Sequence, residues 1–73
     1  MITPLAEMMS TGDPMEKSEA KQALFDIAAK ASDPKTPAGE KKKVRSAIQE
    51  SIKTSASEIT KDYLIWIAGM ISR

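Results

Sequence analysis

Lys41, Lys42, Lys43 and Arg45 put four cations into five positions directly after Glu40, the densest charge in the chain. Cations at the start of a helix oppose its dipole at a cost of roughly a few tenths of a kcal/mol each. Their functional reading is an anion site, because free backbone N–H groups beside lysines bind phosphate and a basic helical face grips nucleic acid. Their plainer reading is a solvated face, with Glu40 offsetting Lys43 at i,i+3. The near balance of charge and the lack of an evident exposed aromatic platform favour the plainer one.

Catalytic chemistry has fewer candidates. Ser18-Glu19-Ala20-Lys21 matches a Ser-x-x-Lys nucleophile pattern, but that chemistry needs a large scaffold and companion motifs that this sequence lacks. Ser18 and Lys21 are therefore expected on the solvent side of a helix. Glu16 with Glu19 and Glu58 with Asp62 are carboxylate pairs at helical spacing, placed in first turns where negative charge is favoured in any case. Cysteine and histidine are both absent, which removes disulfides, thiolate metal sites, the usual zinc sites and the commonest general base. No Asp-x-Asp-x-Asp-Gly loop offers a carboxylate metal site. The expectation is no catalytic residue, no metal and no cofactor.

The chain that must position these groups has 73 residues, 29% of them charged and 41% hydrophobic, with a net charge of +1. That length suits a single domain with a small core. Residues 1–40 carry seven acids and four lysines, and residues 41–73 carry seven basic residues and three acids, so the halves stand at −3 and +4. The start, Met1-Ile2-Thr3-Pro4-Leu5-Ala6-Glu7, lacks the basic and apolar regions of a secretory signal, and a cytoplasmic location is expected. The longest apolar run, Tyr63 to Ile71, is nine residues, against about 20 for a bilayer span.

Thr3-Pro4, Asp13-Pro14, Asp33-Pro34 and Thr36-Pro37 each read as an N-cap followed by a first-turn proline, with the last two competing for one helix. A first helix over residues 4–9 is short, a helix or arm whose Leu5, Met8 and Met9 form an apolar lid. The second, over 14–31, opens with the capping box Asp13-Pro14-Met15-Glu16. It buries Ala20, Ala23, Leu24, Ile27, Ala28 and Ala31 at one-face spacing. A third spans 37–53 with Val44, Ala47, Ile48, Ser51 and Ile52 inward. The fourth, over 56–72, opens with a box at Ser55-Ala56-Ser57-Glu58, so that Thr54 and Ser55 alone connect it to the third. No stretch alternates as a strand would.

Stepping residues of the fourth helix by about 100° puts Tyr63, Trp66, Ile67 and Met70 on its main face. Leu64 and Ile71 fall on a flank and Ile65 at the rear. Trp66 is therefore expected to be buried. A helix apolar nearly all round is central to a bundle or shared with a second chain. Phe25 falls outside the stripe of the second helix, either covered by the N-terminal segment or free to anchor a partner. Gly69 either admits another helix closely or marks fraying.

The fold expected is all-α, a small bundle of three main helices plus a short N-terminal helix or arm. The function expected is a non-catalytic protein-binding module. It would be a small regulator or inhibitor acting by stoichiometric protein–protein interaction, on a protein partner or as a homodimer, through Phe25, Leu64, Ile65 and Ile71. The alternative is a nucleic-acid or phosphate binder using Lys41, Lys42, Lys43 and Arg45. A helix-turn-helix does not fit, since the only short turn would make the apolar fourth helix the reader. A membrane-surface role is weaker still, because Glu58, Lys61 and Asp62 are a poor basic face.

Overall fold

The computed structural model describes residues 2–71, which form α1 (Ile2–Thr11), α2 (Pro14–Ser32), α3 (Ala38–Thr54) and α4 (Glu58–Ile71), with no strand among the described residues. The all-α class is as expected. The expected end of the fourth helix at Ser72 lies outside the described residues.

The N-terminal element is longer than expected. α1 has 10 residues and starts before Thr3, which lies inside it instead of capping it. Pro4 falls in the first turn, where no backbone N–H has an intrahelical partner to lose. Its buried residues are Ile2 and Ala6, while Leu5 and Met9 pack partly buried on the core and Met8 is exposed.

α2 begins where the capping box predicts. The Glu16 N–H donates to Asp13 Oδ1 at 2.8 Å and the Asp13 N–H donates to Glu16 Oε1 at 3.1 Å, which satisfies two end groups reciprocally. Ala20, Leu24, Ala28 and Ala31 are buried along it, and Ala23 and Ile27 lie half-buried beside them. The competition between Asp33 and Thr36 is resolved by both ending α2. The Thr36 hydroxyl donates to Lys30 O at 2.6 Å, and Asp33 Oδ1 accepts the Lys35 N–H at 2.8 Å in a tight turn. α3 consequently starts at Ala38 with Pro37 at its N-cap and no side-chain cap.

The cap of α4 is also displaced. Ser57, not Ser55, supplies it: the Thr60 N–H donates to Ser57 Oγ at 3.3 Å and the Lys61 N–H to Ser57 O at 3.0 Å. Ser55 closes α3 through its N–H to Ser51 O and accepts the Ser57 N–H on its hydroxyl. Residues 55–57 therefore form the link.

α1 packs mainly on α2, α2 on α4, and α4 on α3, so the four helices close around one core. Leu24, Ile48, Leu64 and Ile67 are fully buried in it, surrounded by Ile2, Ala6, Ala28, Ala31 and Ile71. Each such aliphatic side chain contributes about 1.5–3 kcal/mol relative to exposure. Two hydroxyls are buried with them. Ser51 Oγ lies 3.3 Å from Thr3 Oγ1, and Thr60 Oγ1 lies 2.9 Å from Ser10 Oγ, so each meets a hydroxyl of α1.

The buried face of α4 is Thr60, Leu64, Ile67 and Ile71, rotated by most of one residue step from the expected one. Trp66, expected in the core, is 56% exposed. The physical reason is angular: Trp66 stands about 200° around α4 from Leu64, outside the side that Thr60, Leu64, Ile67 and Ile71 turn into the core.

Candidate interaction surface

Ser18, Lys21, Gln22 and Phe25 recur on α2 at i, i+3, i+4 and i+7, a second stripe lying beside the alanine stripe that faces the core. With Tyr63 and Trp66 of α4 they line an open groove between the two helices. Phe25 and Trp66 stack across it, with centroids 6.0 Å apart and planes 23° from parallel. The Tyr63 and Trp66 centroids are 5.8 Å apart at 37°. The three rings form a continuous row, and they are all the aromatic residues of the chain.

Polar contacts fix one end of the row. The Tyr63 hydroxyl donates to Lys21 O at 3.0 Å, and Lys21 Nζ lies 5.3 Å from the Tyr63 ring centroid, over its face. Partial burial pushes the Tyr63 hydroxyl pKa above its ordinary value, and the negative charge of Asp26 adds to the shift. Asp26 accepts a hydrogen bond from Gln22 Nε2 at 3.0 Å. Ser18 and Lys21, expected merely to face solvent, are exposed and also belong to the groove wall.

Apolar exposure continues along α4. Ile59 is 78% and Ile65 56% exposed. Around the helix, Asp62 falls between the lines of Trp66 and Ile65, one turn before Trp66. Beside them Gly69 faces open space, since a Cβ there would meet nothing within 4 Å. Among the described residues, no other helix uses it for close packing.

The four residues expected at an interface are therefore divided. Ile65 is exposed and Phe25 half-buried in the aromatic row, but Leu64 and Ile71 are core residues and present nothing outward. Sequence reasoning missed Trp66, Tyr63 and Ile59. The signal was present in the line Thr60, Leu64, Ile67, Ile71, which becomes the better inner face once a threonine is admitted to the core.

On α3, Lys42 and Lys43 are exposed, and Lys41 and Arg45 are half-exposed. The expected pairing of Glu40 with Lys43 is not formed; among the described residues the ion pair is Lys61–Glu58 at 3.7 Å. Lys42, Arg45, Gln49 and Lys53 run along the outer side at i, i+3, i+7 and i+11. Glu16 is engaged in the α2 cap and Glu58 with Lys61. Among the described residues no group of three or more potential ligands could hold a metal ion.

Comparison with known proteins adds no relative. No family model, curated protein or solved structure matches this chain. Among the described residues, no helix is long and apolar enough to cross a membrane.

Proposed function

We propose that this chain is a non-catalytic protein-binding module, a small regulator or inhibitor that docks stoichiometrically through the α2/α4 aromatic row and the outer side of α4. One observation carries the reading: the three aromatic residues line up along the surface, Trp66 56% exposed and Phe25 and Tyr63 half-buried, while the fully buried core is aliphatic with two hydroxyls. Aromatic rings bury the most area per residue, and a small domain short of core gains most from placing them inside. A row of them outside, with Ile59 and Ile65 alongside, has the composition of an interface centre.

The test is capture from native lysate with tagged protein, run at high salt after nuclease, comparing the parent with Ile65→Lys and Trp66→Ala. We expect a defined protein to be retained by the parent and lost by both variants, with helical content unchanged by circular dichroism. Retention by both variants would reject this surface.

A second reading is favoured by the unpaired cations of α3. Lys41, Lys42, Lys43 and Arg45 form no ion pair among the described residues, which suits a phosphate backbone or a single phosphate group. Its signature is affinity for nucleic acid that falls steeply with salt and is abolished when the three lysines become glutamine. Binding left unchanged by those substitutions would remove it.

A further inference from the structure

The aromatic row already shows which chemistry it attracts. Lys21 Nζ sits over the face of Tyr63, so one ring of the row holds a cation within the chain. Trp66, the ring type that binds cations best, remains 56% exposed. One turn before it, the carboxylate of the exposed Asp62 forms no hydrogen bond or ion pair among the described residues. Asp26, which follows Phe25 on α2, accepts from the neutral amide of Gln22 and acts on the Tyr63 hydroxyl. Trp66 thus has beside it, one helical turn away, a carboxylate without a cationic partner among the described residues. Lys21, the cation at hand, is committed to Tyr63 at the far end.

We infer that the row receives an arginine of a protein partner, its guanidinium stacked on the exposed part of the Trp66 ring and paired with the Asp62 carboxylate. This rests on the protein-binding reading and names the partner's chemistry. Arginine fits better than lysine because its planar cation stacks on an indole while its edge N–H groups remain free for a carboxylate. Charge complementarity selects the partner: an acidic segment would meet the Asp62 carboxylate, whereas a basic one finds it unneutralised. Ile65, around the helix from Asp62, supplies the apolar contact that excludes water from the pair.

The chain contains a single tryptophan, so its indole N–H gives one resolved cross-peak in a ¹⁵N–¹H spectrum. The probes are hexa-arginine, hexalysine, hexacitrulline and hexaglutamate, each titrated to about 2 mM at low salt, a range that registers millimolar binding. We expect the Trp66 indole peak to move with hexa-arginine, less with hexalysine, and not with the other two. Asp62→Asn should weaken the hexa-arginine response about tenfold, the size of one lost charge pair at a binding rim. Glu50→Gln, which removes an exposed carboxylate on α3, should leave it unchanged. Both sites are exposed, and each variant's fold is checked by its remaining amide spectrum.

An unmoved indole peak, or one that moves equally with hexaglutamate or hexacitrulline, would overturn the assignment of arginine. So would an indole shift on dilution of the protein alone, which would place a second copy on the row. Each of these leaves the broader reading to the Ile65→Lys and Trp66→Ala capture experiment, which fails or succeeds independently of the peptides.

Discussion

Leu64 and Trp66 lie two residues apart on α4, and the first is fully buried while the second is 56% exposed. Helical geometry turns two positions through roughly 200°, so these neighbours in sequence serve opposite sides of the element. Their mutational costs should invert the usual expectation from size. Leu64→Ala should cost about 2–5 kcal/mol and bring a domain of this length near unfolding. Trp66→Ala should stay folded and cooperative, at a cost of about 1 kcal/mol from the lost ring stacking. Urea denaturation followed by circular dichroism measures both, and a Trp66→Ala protein that is unfolded in buffer would place the indole in the core after all.

Two glycines predict opposite signs. A Cβ on Gly12 would stand 2.6 Å from Met8 O and 2.8 Å from Glu16 Cβ, in the tight passage between α1 and α2. No glycine has a positive φ, so the requirement there is space. Gly12→Ala should destabilise by roughly 1–3 kcal/mol through forced backbone shifts. Gly69 has open space around it, so Gly69→Ala should stabilise by about 0.5–1 kcal/mol through helix propensity. Thermal melts of the pair check the contrast; a stabilised Gly12→Ala would contradict the close approach.

Ser10 donates its hydroxyl proton to Ala6 O at 3.0 Å, which leaves the buried Thr60 hydroxyl to donate to Ser10 Oγ at 2.9 Å. This direction makes the pair asymmetric. Ser10→Ala orphans a buried hydroxyl and should cost about 1–3 kcal/mol, whereas Thr60→Val keeps the shape, removes the group itself and should cost about 1 kcal/mol or less. In the double variant the two costs should fall short of their sum. Full additivity in equilibrium denaturation would mean that the hydroxyls do not interact.

Tyr63 predicts behaviour at alkaline pH. Its hydroxyl pKa is raised in the fold, first by burial and then by Asp26, above the ordinary value of 10.0. The folded state thus holds the phenolic proton more tightly than the unfolded chain does. The corresponding stability is fully present below pH 10.0 and is lost as pH rises from there through the folded value. Tyr63→Phe should be slightly less stable at neutral pH, because the bond to Lys21 O is gone, and should show a shallower decline above pH 10. Parallel stability curves for the two proteins in that range would show that the phenol titrates alike in both states.

Local signals were enough to place α2. Asp13 and Glu16 form their box within four residues of chain, and Ala20, Leu24, Ala28 and Ala31 repeat on a single line, so neither depends on anything distant. The same locality explains the all-helical class and the inward side of α3. It also explains the errors at the helix ends: Thr36 and Ser55 are good cap residues by type, but each was claimed by the end of the preceding helix. α4 defeated the periodicity argument because apolar residues surround it. When every face is acceptable to a core, only the neighbours choose. Packing turned Leu64 and Ile67 inward and Trp66 outward, and Thr60 could enter where Ser10, fifty positions earlier on α1, offers a free acceptor. Those selections also created the aromatic row, since Phe25 and Trp66 meet only when α2 and α4 pack. Where helices form was settled locally, by hydrogen bonds and side chains within a few residues of each position. Which side of α4 faces water was settled by packing, because that outcome is a competition for space among helices far apart in the chain.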